Sequence, residues 1–162
     1  MQTTNRKRKI EGVSGRAVLR YSHRKKIIIP AIVFAVLFIL DRVSKILLLK
    51  YFSGIVSVNQ GFAFGIGSND SGGTISSLIV VIALISISIY FLVSGYEMLL
   101  PFATMLSGAV SNFIDRIIYG GVVDFINMKF WPTFNLADSF ITIGVIWILL
   151  DLLFRKPKSA TD

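Results

Sequence analysis

Four stretches of this chain are apolar over long runs, and where polar residues interrupt them they do so near one end. The first runs roughly from Ile27 to Leu49 and is broken late by Asp41-Arg42-Val43-Ser44-Lys45. The second, from about Ile75 to Val93, carries no charge. The third, from about Met98 to Ile118, turns polar near its end, and the fourth runs from about Asn135 to Phe154. Each is close to the ~20 residues that a helix needs to cross ~30 Å of hydrocarbon. The pattern predicts an all-α membrane protein with four transmembrane helices.

The connections differ in character. Gly95-Tyr96-Glu97 predicts a tight turn between the second and third spans. The segment 50–74 holds Gly54, Gly61, Gly65, Gly67, Gly72 and Gly73, with apolar alternation from Ile55 to Val58, which fits strands and turns better than a helix. With the 119–134 connection it predicts a small external β-rich platform, and Trp131 suits an interfacial anchor.

Composition agrees: 54% of the 162 residues are hydrophobic and the mean hydropathy is +0.71, too apolar for a soluble domain of this size. The net charge of +8 is uneven, with nine of seventeen Lys and Arg in residues 1–26 and Arg155, Lys156 and Lys158 near the C-terminus. Nucleic acid is one reading of such tails. Beside membrane spans, retention on the cytoplasmic side and attraction to anionic lipid is the better one. Residues 1–26 resemble the start of a signal peptide, but no small-residue cleavage site follows. The expected layout is a basic cytoplasmic tail over 1–26, a four-span domain over 27–154 and a cytoplasmic tail over 155–162. Membrane lipids are expected partners and nucleic acid is not.

On that topology the polar residues share one depth. Asp41 and Lys45 lie at the outer end of the first span, Asn112, Asp115 and Arg116 at that of the third, and Asn135 and Asp138 at the outer start of the fourth. Charged groups within spans cost ~2.5–3.5 kcal/mol each on insertion scales and usually face the bundle interior, so the coincidence marks a site. The chain has no Cys and a single His, His23 in the basic tail. Disulfides, thiolate catalysis, a Ser-His-Asp triad and a His-ligated zinc therefore lack parts, and no metal or cofactor is expected.

Asp41 and Lys45, four apart, share a helical face and pair in a supporting role. Gly108, Asn112, Asp115 and Arg116 form one helical stripe, with Gly108 admitting a neighbouring helix closely. Asn59-Gln60-Gly61-Phe62-Ala63-Phe64-Gly65 is Gly-rich but lacks the Lys and Ser/Thr of a phosphate loop, and by itself reads as a turn. Asp124 and Asp138 admit two readings. In one, Asp138 caps the fourth helix and Asp124 is a solvated loop residue. In the other, two carboxylates in a partly dehydrated site share a proton and act as general base and acid on a peptide bond. Two alternatives stand beside the latter: a Ser/Lys peptidase using Ser44, Ser107 or Ser111 with Lys45, and a proton-coupled transporter or channel subunit built on intramembrane Asp and Arg.

Taken in order, Asp41-Arg42-Val43-Ser44-Lys45, Asn59-Gln60-Gly61-Phe62-Ala63-Phe64, Gly108 to Arg116, Val122-Val123-Asp124-Phe125 and Phe134-Asn135-Leu136-Ala137-Asp138 resemble the signature boxes of lipoprotein signal peptidase (signal peptidase II). The resemblance covers about residues 27–154. It implies an aspartic endopeptidase of the bacterial inner membrane that cuts diacylglyceryl-modified prolipoproteins just before the lipidated Cys, without a cofactor. It also implies a monomer and a target of the antibiotic globomycin. By the family pattern the catalytic pair maps onto Asp124 and Asp138. Asn112, Asp115, Arg116 and Asn135 map onto supporting residues. Asp41, Lys45 and Asn59 match the remaining boxes, Gly108 and Ala137 lie as supporting positions in the boxes of Asn112 and Asn135, and Asn59 and Gly61 sit on the platform that meets substrate. The basic tail is longer, and the link from Asp124 to Asp138 shorter, than the family pattern suggests.

Overall fold

The computed structural model describes residues 2–61, 70–94 and 98–154. The expected turn at 95–97, the Phe62–Gly65 half of the Gly-rich segment and the tail at 155–162 lie outside them. Helix α1 runs Gln2–Tyr51, α2 Asp70–Ser94, α3 Leu99–Tyr119 and α4 Leu136–Phe154. The basic segment before Ile27 is thus helical and continuous with the first apolar stretch, and the Asp41–Lys45 interruption does not break the helix.

By length and composition, three helical stretches can cross a membrane: Ile27–Tyr51, Gly72–Ser94 and Leu136–Phe154. Helix α3, at 21 residues, is long enough but less apolar. Its position accounts for this. It packs against α1, α2 and α4 at once, and it buries Thr104, Ser107, Ser111, Asn112, Asp115 and Arg116. A helix surrounded by helices meets little lipid, so its surface is selected for packing and hydrogen bonding rather than for apolarity. The other three turn Ile, Leu and Val outward, as at Ile32, Val36, Ile79, Ile82, Ile146 and Leu149. The buried apolar cluster lies where α2 meets α3, around Val81, Leu84, Met98, Phe102 and Ala109, with the Phe91 and Phe102 ring centres 5.2 Å apart.

Glycine sets the α3–α4 distance. A Cβ on Gly108 would overlap the Ala137 carbonyl, and one on Gly144 would overlap Met105, so both positions admit a closeness that larger residues forbid. At the end of α3, Gly120 takes φ +70° and its N–H donates to the Arg116 carbonyl at 3.2 Å, a left-handed cap that suits glycine.

The platform is a two-stranded antiparallel sheet. After a short 3-10 turn at Ser53–Ile55, β1 (Ser57–Asn59) pairs with β2 (Val122–Asp124), with Ser57 opposite Asp124 and Asn59 opposite Val122. A hairpin-like loop returns from β2 to α4, closed by an isolated bridge between Ile126 and Phe134. The sheet therefore delivers Asp124 to the place where α4 begins.

Candidate active site

Two helix ends and one strand converge here. Asn135 precedes α4 and Asp138 lies in its first turn. The Asn135 Oδ1 accepts the Asp138 N–H at 2.9 Å, and Asp138 Oδ2 accepts the Asn135 N–H at 3.2 Å. This reciprocal arrangement is a capping box with Asp in the third helical position. So Asp138 does cap the helix, but with one oxygen only. Its Oδ1 accepts from Asn112 Nδ2 at 2.7 Å.

Asp124 is not a solvated loop residue: it is 2% exposed. Its Oδ1 accepts from Asn135 Nδ2 at 2.8 Å and its Oδ2 from Asn59 Nδ2 at 3.2 Å. Asn135 Nδ2 also donates to Asn112 Oδ1 at 3.2 Å. The two carboxylates are thereby joined through two amides, Asp124 to Asn135 to Asn112 to Asp138. The amide orientations follow from one cation, since Lys45 Nζ donates to Asn112 Oδ1 at 3.0 Å and so turns the Asn112 NH₂ toward Asp138. Each carboxylate oxygen takes a single donor from these partners and keeps lone pairs for a proton or a water. Burial and, next, the nearby Asp138 charge push the Asp124 carboxyl up to about 6, against the lowering effect of the Asn59 and Asn135 amides and of Lys45.

Beneath this lies a buried ionic cluster. Lys45 Nζ is 2.8 Å from Asp41 Oδ2 and 2.6 Å from Asp115 Oδ2, and all three side chains are fully buried. Arg42 pairs with Asp115 Oδ1. Two cations and two carboxylates give formal neutrality, which a buried cluster needs. The remaining lone pairs hold neighbouring elements. Asp41 accepts Ser111 Oγ at 2.6 Å and the Ala137 N–H at 2.9 Å, and Asp115 Oδ2 accepts the Val123 N–H at 3.2 Å. Asp41 thus ties α1 to α4, and Asp115 ties α3 to the residue before Asp124. Arg116 reaches the platform instead, donating to the Gly61 carbonyl at 3.0 Å, while the Gly61 N–H donates to Asn59 Oδ1 at 3.0 Å.

A cavity of about 700 Å³ opens onto this constellation, with Asn59, Asn112, Arg116, Asp124 and Asp138 in its wall. The rest is mostly apolar, including Val80, Ile141, Ile143 and Phe134. Among the described residues no group of three His, Cys, Asp or Glu side chains is placed to hold a metal.

The serine alternative finds no geometry. Lys45 is held between two carboxylates, Ser44 and Ser107 donate to main-chain carbonyls at 2.8 and 2.7 Å, and Ser111 donates to Asp41. All twelve residues singled out in the sequence belong to the assembly or brace it. Gly61 and Ala137 do so through their backbones, and both are buried away from the cavity. Arg42 and Ser111 were not anticipated in supporting roles. Both lie inside the quoted boxes, so their position was visible but their partners were not.

The comparisons agree with this geometry. The family model for signal peptidase (SPase) II matches residues 33–154. The chain belongs to the signal peptidase II family. It is 36% identical over 158 residues to the lipoprotein signal peptidase of Pelagibacter ubique (strain HTCC1062), covering 85% of this chain and 95% of that one. It is 38% identical over 120 residues to that of Francisella tularensis subsp. novicida (strain U112), covering 68% and 74%. Two bacterial membrane enzymes solved by the in meso method, at 2.3 and 1.9 Å, superpose with TM-scores of 0.67 and 0.63 at 30% and 31% identity. They cover 84% and 80% of this chain and 96% of each of theirs. Family membership implies a multi-pass membrane peptidase acting on lipoproteins.

Proposed function

We propose that this protein is an aspartic endopeptidase that removes signal peptides from diacylglyceryl-modified prolipoproteins, cleaving just before the lipidated Cys, with Asp124 and Asp138 as its catalytic pair. The observation that carries this is the placement of both carboxylates in the wall of one cavity, linked through the Asn135 and Asn112 amides. One proton shared by the pair leaves one carboxylate as base and one carboxylic acid as donor. The base takes a proton from a water held between them, and the oxygen bonds to the scissile carbonyl carbon. The acid protonates the carbonyl oxygen. The resulting gem-diol collapses as the C–N bond breaks: the carboxyl that took the water proton gives it to the departing amine of the lipidated Cys, while the other carboxylate takes a proton from the diol, leaving the signal peptide's new C-terminal carboxyl group and one shared proton on the pair. The fixed amides keep the oxygens oriented without reorganisation during the reaction.

In this reading α3 is the fourth span, shielded from lipid by its neighbours. Both termini are cytoplasmic and the site lies at the external face of the bacterial inner membrane, where acyl chains stay in the bilayer while the peptide meets water. The protein acts as a monomer, and the groove is the site at which globomycin acts. The test is a gel-shift cleavage assay on purified protein in detergent, with a prolipoprotein offered with and without its diacylglyceryl group. Only the lipidated form should be cut. Asp124→Asn and Asp138→Asn should each lower turnover by at least ~10²–10⁴-fold while still inserting in membranes. Near-normal turnover by either variant would sink the assignment of the pair.

A further inference from the structure

The two walls that rise from the aspartates carry hydroxyls with a shared peculiarity. On α2, Ser76 and Ser77 both donate to the Gly73 carbonyl at 2.9 Å. Facing them on α4, Ser139 donates to the Asn135 carbonyl at 3.2 Å and Thr142 to the Asp138 carbonyl at 2.8 Å. All four line the cavity. A hydroxyl has one proton and two lone pairs, and here each proton is spent on its own helix, as Ser and Thr in apolar helices tend to do. What the four present to the cavity is therefore acceptor capacity. Val80, Ile141 and Ile143 lie beside them, and the other polar positions of the same wall are held by Asn59, Asn112, Arg116, Asp124, Thr133 and Asp138.

Of the chemical groups in a lipidated prolipoprotein, acyl esters and hydrocarbon chains offer no N–H donor. An extended peptide offers one per residue, and leaving it unpaired in an apolar cleft is costly. We propose that Ser76, Ser77, Ser139 and Thr142 accept hydrogen bonds from main-chain N–H groups of the signal-peptide segment, so that the peptide, rather than the diacylglyceryl chains, occupies the space between α2 and α4. This rests on the peptidase reading above and adds to it which part of the substrate this cleft selects.

The experiment uses the full-length protein in detergent and lipidated substrate peptides. In them, single amides on the signal-peptide side of the scissile bond are replaced by esters, which delete one N–H each. With wild-type enzyme, at least one replacement should raise KM about five- to tenfold, the scale of one or two neutral hydrogen bonds, with kcat within about twofold. Ser76→Ala/Ser77→Ala and Thr142→Val should raise KM for the all-amide peptide similarly, Thr142→Ser should keep the wild-type value, and the ester substitution should cost these variants little further. Changing acyl chain length should affect wild type and variants alike. A wild-type KM in the hydroxyl variants, or full additivity of variant and ester losses, would overturn the inference while leaving the peptidase intact. Selective loss of acyl-length dependence in the variants would instead assign the cleft to lipid. Failure of wild-type protein to cut any lipidated peptide would remove the function and this inference with it.

Discussion

At the scale of single residues, the site is governed by where each donor is aimed. Asp124 is lifted to about 6 by burial and by Asp138, and held down from rising further by Asn59 and Asn135. Its proton is therefore retained in the folded protein over a range, roughly pH 4 to 6, in which an unfolded carboxyl has lost it. On that account folding stability from this group is complete at the acid end and declines as pH rises toward 6. The proposed mechanism needs the shared proton, so kcat/KM should fall on the alkaline side with an apparent pKa near 6. Asn59→Ala removes a hydrogen bond to the charged form, and its pH–rate profile should move that limb to higher pH. An unmoved limb would mean that Asp124 does not set it. Arg42 acts one step further out, through Asp115 to the Val123 N–H. Arg42→Gln leaves the buried cluster one positive charge short, and a cost of ~3–5 kcal/mol is the usual scale for breaking such a pair. Thermal unfolding in detergent should show the loss.

At the scale of elements, α3 packs against α1, α2 and α4 and, apart from its last turn, exposes little of itself. Its small residues set the distances. Gly108→Ala would drive a methyl into the Ala137 carbonyl, whose own residue supplies the N–H that Asp41 accepts. Overpacking of this kind costs ~1–3 kcal/mol. It should lower the unfolding temperature, and by displacing the first turn of α4 it should lower turnover more than a lipid-facing change such as Ile79→Val. Equal effects of the two substitutions would show that the α3–α4 distance is not critical. The two strands are short, and their contribution is positional: one antiparallel ladder holds Asn59 and Asp124 near enough for the 3.2 Å bond between their side chains.

At the scale of the whole molecule, the proposed function requires an orientation with both termini cytoplasmic and the aspartates at the external face. The chain has no Cys, so single introduced thiols report topology on a clean background. Phe130→Cys, at the exposed tip of the loop after β2, should react with a membrane-impermeant thiol reagent from outside intact cells lacking an outer-membrane barrier. Ser159→Cys should react only after permeabilisation. The reverse pattern would invert the protein and place the site on the cytoplasmic side.

Much of this was legible in the residues themselves. The hydrophobic runs gave the positions of α1, α2 and α4 because lipid-facing helices must be apolar throughout, and the polar residues at the ends of these runs pointed to the cluster that the fold brings together, because isolated charges in a span are costly. Periodicity placed Gly108, Asn112, Asp115 and Arg116 on one face, and all four are buried. Local pattern did not reveal that α3 is the shielded hub rather than a span as apolar as the others. Nor did it show that Arg42 reaches Asp115 from beside the Asp41–Lys45 face, or that Lys45 sets the Asn112 amide. Those are pairings across 73 and 67 residues of sequence. The chain specifies which groups exist and on which helix and face they lie, because those follow from local hydropathy and helical spacing. Which oxygen each nitrogen meets depends on how the helices are packed, and only the folded molecule decides that.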